Sequence, residues 1–280
     1  MSSADTTIPR LHLELRSLLA TYLDHTPVPA AADAIVADFS RLHPGLLVAS
    51  LKEALAGPRG PHRNDREHLS RIYNRKTKEM AAMYPVLLSL EGGLRARLTV
   101  EFFVRFGIDR WWIPFHDALR RGEDATTVKE VNGVRVTSHL ARRLADVIVS
   151  VDGDRFQHPR TAAFDCGSEF FANTTFGQLR YIVGTSWSEF GHIFRGRKGT
   201  VKAITKDEFM ELTKVVLDTR NALYHHNPVN SRQACVTACE ILADHLDYHL
   251  GSLDSDLGRT TYPRPEFKVA VQERHNVIVG

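Results

Sequence analysis

Hydrophobic residues recur at helical spacing through most of the first 250 positions. Leu11, Leu15, Leu18, Leu19, Tyr22 and Leu23 fall on one helical face, and Pro27 and Pro29 end it. A second stripe, Ile35, Val36, Phe39 and Leu42, stops at Pro44-Gly45, after which Leu47, Leu51 and Leu55 begin a third short helix. Residues 1–57 are therefore expected to form an N-terminal helical subdomain. The following stretch is rich in glycine, proline and charge without apolar periodicity, so 58–68 reads as a basic loop or linker.

Helical spacing resumes at Leu69, Ile72, Tyr73, Met80 and Tyr84, crosses Pro85, and continues through Leu87, Leu90, Leu94, Leu98 and Phe102 to Gly107. The pattern predicts a long helix pair kinked at the proline. The aromatic-rich segment 108–121 is expected to pack against it. Val128 to Val136 alternates around Asn132-Gly133, the dipeptide that suits a two-residue β-hairpin turn. Thr137 or Ser138 caps the next helix, with Leu140, Leu144, Val147 and Ile148 inward, and 152–173 reads as irregular.

Two capping boxes follow. Thr175 with Gln178 opens a helix through Leu179, Ile182, Val183 and Phe190; Thr205 with Glu208 opens one burying Phe209, Leu212, Val215 and Val216. Asn227-Pro228 reads as the cap and first residue of a last helix through Leu242 and Leu246 to Gly251. The fold class is mainly α: a helical domain over 69–251 with a hairpin near 128–136, an N-terminal helical extension, and a tail at 252–280 with short β-like runs at 267–271 and 277–279.

Composition narrows the function classes. With 43% hydrophobic and 25% charged residues, disorder and low-complexity fibre are excluded. The balance of 36 Lys+Arg against 33 Asp+Glu makes no polycation, so any nucleic-acid affinity must come from local patches. No run approaches the roughly 18 apolar residues of a membrane helix, the N-terminus resembles no signal peptide, and three cysteines cannot build a disulfide framework. A cytoplasmic protein without a membrane partner is expected.

The most informative string is DTRNALYHHNPV, 218–229, at a helix–helix junction. Arg220 and Asn221 lie near the end of one helix, and His225 and His226 precede the next. Arginine presents a planar fork of donors that matches a phosphate, and helix N-termini favour anions. Histidine titrates near neutrality, so beside a phosphodiester it can take the proton of a ribose 2′-OH. The 2′-oxygen then attacks phosphorus while Arg220 stabilises the phosphoryl oxygens, leaving a 2′,3′-cyclic phosphate and a 5′-hydroxyl. Asn221 would orient the imidazole or a phosphate oxygen.

Arg220-Asn221 followed at the R-x4-H spacing by His225 resembles the R-x4-6-H motif of the HEPN superfamily. LLSLEGGLRARLTVEFFVRFGIDRWW and TFGQLRYIVGTSWSEFGHIF resemble segments of abortive-infection-like HEPN proteins, so the resemblance covers roughly 80–250. It implies a HEPN-like helical bundle and a homodimer placing two Arg-Asn-His sets across one cleft. It further implies endoribonuclease activity on RNA without metal or other cofactor, in phage defence or beside an antitoxin or other defence-system partner. Where HEPN toxins silenced by tyrosine AMPylation carry a Tyr two residues after the motif His, this chain has Asn227, with Tyr224 before the His instead.

Plainer roles compete at several positions. Arg63-Asn64 with His68 repeats the motif spacing, but in a Pro/Gly-rich stretch that reads as solvated charge. Cys235 and Cys239 with His245 have the look of a metal site, yet their spacing continues the buried stripe. Trp111, Trp112 and Trp187 suit base stacking or core packing. Glu91 and Arg95, spaced i, i+4, are expected to form an exposed ion pair or to support the site from nearby. Arg195, Arg197, Lys198 and Lys202 form a basic loop ahead of the motif helix and are candidate RNA-backbone contacts. A non-catalytic HEPN-like dimerisation module that binds RNA or nucleotide is the competing functional reading.

Overall fold

The computed structural model describes residues 7–23, 39, 42–57, 65–153, 160–196, 201–225, 227, 229 and 232–247, all within one compact unit. The fold is mainly α with one two-stranded sheet. No helix among the described residues is long and apolar enough to cross a membrane. The two β-like runs of the tail, most of 58–68, His226, Arg197 and Lys198 lie outside the described residues.

Helices α1 (Thr7–Leu23) and α2 (Pro44–Ala56) pack onto the start of α3, which runs from Asp65 to Phe106. Tyr22, Phe39, Leu47, Leu51 and Ala54 share one buried cluster with Leu69 and Ile72 of α3. The N-terminal helices therefore share a core with the first turns of α3. Ion pairs from Glu53 to Arg75 at 2.5 Å and to Lys76 at 2.8 Å reinforce that contact.

Helix α3 is continuous through Pro85, where a pair had been expected. The missing proline N–H removes one backbone bond, but Met83, Val86, Leu87 and Leu90 are buried on both sides of it, and their packing holds the turns in register. Its end is specified by Gly107, whose φ of +66° suits a left-handed helix terminus. The hairpin, β1 (Glu130–Val131) and β2 (Val134–Arg135), turns on Asn132 and Gly133, both at positive φ. Asn132 Nδ2 donates to the Phe106 carbonyl at 2.7 Å, so the turn residue also closes α3.

The core behind α3 is aromatic. Trp111 and Trp112, just before α4 (Ile113–Arg120), are buried against Phe102, Phe170 and Phe171. Phe170 and Phe171 lie on α6 (Gly167–Ala172), in the stretch expected to be irregular. Between α4 and α6 runs α5 (Ser138–Asp152), capped by Thr137, whose hydroxyl accepts from the Leu140 N–H.

Both capping boxes form. The first opens α7 (Phe176–Thr185), but this helix ends at Ser186 instead of reaching Phe190, giving a separate turn α8 (Trp187–Phe190). There Trp187 stacks on Phe194 at 5.7 Å and lies so close over Gly191 that a Cβ would come within 2.7 Å of the indole. The second opens α9 (Lys206–Tyr224). The last helix, α10, is described over Arg232–His245, and Val229 lies outside it, so the helix does not open at Pro228 with Asn227 as its cap.

Candidate functional site

Helix α9 carries the site at its C-terminal end. Its buried face is Phe209, Thr213, Val216, Thr219 and Leu223, while Leu212 and Val215, expected inside, are only half-buried. Two buried threonines on this face find partners. Thr213 donates to the Phe209 carbonyl at 2.6 Å and accepts from Arg180 Nε at 3.0 Å, which joins α7 to α9. Thr219 lies against the thiol of Cys235.

Arg220 follows Thr219 at the edge of this packed face and is half-buried. Its Nε donates to Glu91 Oε2 at 3.1 Å, and Arg95 Nη2 donates to Glu91 Oε1 at 2.5 Å. Glu91 is only 5% exposed, so the expected exposed Glu91–Arg95 pair is in fact a buried carboxylate shared by two guanidinium groups. The physical reason is register: Glu91 sits between Leu90 and Leu94 on the face of α3 turned toward α9 and α10. Arg95 is anchored again by donating to the Thr174 carbonyl at 2.7 Å. One negative charge between two positive ones leaves a net positive cluster.

The Arg220 guanidinium lies over the Tyr224 ring, 4.4 Å from its centroid, and Tyr84 meets that ring edge-on at 5.9 Å. Tyr84 in turn donates its hydroxyl to the Leu223 carbonyl at 3.3 Å. Among the described residues neither terminal nitrogen of Arg220 has a hydrogen-bond partner, so a fork held at Nε and on one ring face keeps its outer donors unpaired. Tyr84, Tyr224 and Thr174 were missed as site residues. The signal for two of them was in the spacing: Tyr84 lies seven residues before Glu91, and Tyr224 four after Arg220.

His225 ends α9, its N–H bonded to the Asn221 carbonyl at 3.0 Å. Its side chain is exposed and, among the described residues, makes no hydrogen bond. Asn221 is exposed as well and stands one turn before it. His225 lies five positions after Arg220, about 140° around a helix axis. Arg220 thus shares a face with Tyr224, Asn221 shares the next with His225, and one chain does not set the guanidinium and imidazole side by side.

Asn227 does not cap the final helix. Its N–H reaches back to the Ala222 carbonyl at 2.7 Å, a six-to-one closure that ends α9. Arg195 and Lys202, the described members of the basic loop, are likewise not beside the site. Arg195 and Lys202 are exposed, and the loop is tied where the Ile204 N–H meets the Phe194 carbonyl at 3.2 Å. That is the opposite end of α9: at 1.5 Å per residue, Arg220 lies about 21 Å along the helix from Lys206. The Glu208 carboxyl there sits below its usual range, chiefly because it accepts the Thr205 backbone N–H, with a further contribution from the nearby Lys202 charge.

Cys235 and Cys239 are fully buried and one turn apart on α10. Their mutual hydrogen bond together with burial pushes the Cys239 thiol far up, while the same bond pulls Cys235 down. Among the described residues no group of three or more His, Cys, Asp or Glu is placed to hold a metal ion. Trp111 and Trp112 are buried and present no face to a base. No protein-family model, no curated protein and no solved structure matches this chain.

Proposed function

We propose that the chain is a HEPN-type, metal-independent endoribonuclease acting as a cytoplasmic homodimer in phage defence or with an antitoxin or similar partner. The single observation carrying this reading is the Arg220 fork, held by buried Glu91 and the Tyr224 ring, five positions before an exposed His225, with the outer donors of the fork and the imidazole unpartnered among the described residues. In a phosphodiester complex the two outer nitrogens of Arg220 grip the phosphoryl oxygens. His225 removes the 2′-OH proton, and the 2′-oxygen displaces the 5′-oxygen to leave a 2′,3′-cyclic phosphate. Glu91 fixes the fork and adds no proton chemistry of its own. Because Arg220 and His225 stand on different faces of α9, the reading assigns the complete set to a cleft between two copies.

The same cluster favours a second reading, the non-catalytic RNA- or nucleotide-binding module, since a guanidinium bonded to a buried carboxylate also serves as a structural clamp. The two separate in one assay. Purified chain incubated with single-stranded RNA in EDTA is expected to cleave, with His225→Ala and His225→Gln inactive at unchanged thermal midpoint. A binder retains RNA affinity in His225→Gln and cleaves in no variant, and that result would refute the nuclease.

A further inference from the structure

From residue 81 to residue 104 every exposed residue of α3 is apolar or glycine. The charged residues of this stretch are all partly or fully buried and paired: Glu91 with Arg95 and Arg220, and Arg97 with Glu101, which also meets His192 at 2.7 Å. Twenty-four residues of helix, about 36 Å, thus present a largely apolar strip in which the only polar side chains are the half-buried Ser89 and Thr99. Its large members are well exposed, Leu88 at 56%, Val100 at 53% and Phe103 at 48%. A solvated helix face ordinarily carries charge, and contiguous apolar patches of this extent mark interaction surfaces.

The order of side sizes along the strip identifies the partner. Six of the eight exposed residues pair about position 94, Gly92 with Ala96, Leu88 with Val100, and Pro85 with Phe103, while Ala81 and Val104 lie outside the pairing. Small residues lie at the centre, where two helix axes approach most closely, and larger ones flank them on both sides. A surface with that internal symmetry complements itself when rotated by half a turn, which is the requirement for an isologous two-fold contact.

Area agrees with this. At about 150–220 Å² for the whole surface of residues of this size, Leu88, Val100 and Phe103 leave roughly 300 Å² of apolar surface per chain. Two copies, with the intervening small residues and the rim, bury on the order of 1,000 Å², the least that a specific interface needs.

We infer that a second copy of this chain docks antiparallel on the 81–104 face of α3, with the two-fold axis passing near position 94. The contact rests on this surface alone: a dimer that cuts no RNA refutes the nuclease and leaves the contact standing, whereas a monomer counts against both. Arg95 lies along one edge of that strip.

Sedimentation equilibrium of the full chain provides the test. Wild type is expected at twice the 31.5 kDa chain mass in the micromolar range. Ala96→Glu, Leu88→Lys and Val100→Glu each place a charge in the contact and are expected to weaken association roughly a hundredfold or more. All three positions are exposed, so the thermal midpoint of the dissociated chain stays at the wild-type value. Combining Leu88→Lys with Val100→Glu sets opposite charges across from each other in both halves of the contact and restores the dimer. A monomer at 100 μM, or a dimer indifferent to Ala96→Glu, overturns the proposal, and failure of the double variant to reassociate overturns its antiparallel register.

Discussion

Replacing Glu91 by glutamine keeps the shape of the side chain and removes the charge that two guanidinium groups share. In the native cluster both carboxylate oxygens are used, one by Arg95 at 2.5 Å and the other by Arg220 at 3.1 Å. A glutamine offers one acceptor, and its amide group then confronts a guanidinium donor with another donor. Removing one partner of a buried ion pair costs about 3–5 kcal/mol when the remaining charge is stranded. Here the stranded charges are not fully enclosed, with side-chain exposures of 29% for Arg95 and 21% for Arg220, and Arg95 keeps the Thr174 carbonyl. Water therefore recovers part of the loss, and the expected destabilisation is about 2 kcal/mol, or roughly 4–8 °C in the thermal midpoint.

Arg220→Ala is expected to cost less, about 1 kcal/mol, because Glu91 stays paired with Arg95. Urea unfolding followed by circular dichroism on wild type, both single variants and the double variant closes a thermodynamic cycle. The coupling between positions 91 and 220 should be about 1 kcal/mol. Glu91→Gln within 0.5 kcal/mol of wild type, or a coupling indistinguishable from zero, refutes the claim that the carboxylate holds the fork.

Three further outcomes follow from the geometry. Gly191→Ala drives a Cβ to within 2.7 Å of the Trp187 ring and should lower stability by about 1–3 kcal/mol in thermal unfolding, whereas Gly177→Ala, whose nearest neighbour would be 3.8 Å away, should not. Gly107→Ala forces a φ of +66° on a residue with a Cβ and should cost about 1 kcal/mol in the same measurement. Glu53, pulled below its ordinary range mainly by its hydrogen bond from Lys76, stabilises the junction of α2 and α3 only while ionised. That contribution is complete above its unfolded-state value and is lost as pH falls through the lowered folded one, so wild type should lose more stability than Glu53→Gln on acidification below about pH 4.5.

The sequence was most legible where one residue type has one backbone consequence. The Thr205 and Thr175 capping boxes, the Asn132-Gly133 turn and the Gly107 stop each depend on local chemistry alone, and each stands where the pattern put it. Legibility failed where tertiary packing outweighed a local preference. Pro85 did not divide α3, because buried residues flank it, and the Trp187 ring over Gly191 accompanies a helix that stops at Ser186.

Arg220, Asn221 and His225 could be singled out from residue type and spacing, but their surroundings could not. That Glu91 is buried depends on a contact across 129 positions of sequence, which no local pattern encodes. Arg195 and Lys202 stand away from Arg220 for a related reason. Closeness in sequence to the start of α9 puts these two a helix length from the residues at its end.

The most direct test of the ribonuclease account is a single deoxy substitution. After the cut sites in an RNA oligonucleotide have been mapped in EDTA, the oligonucleotide is resynthesised with a 2′-deoxyribose at the nucleotide preceding one cut. The account predicts that cutting stops at that bond alone and that fragments from the remaining bonds end in 2′,3′-cyclic phosphate. Continued cleavage at the deoxy position would show that the 2′-oxygen is not the nucleophile and would contradict it.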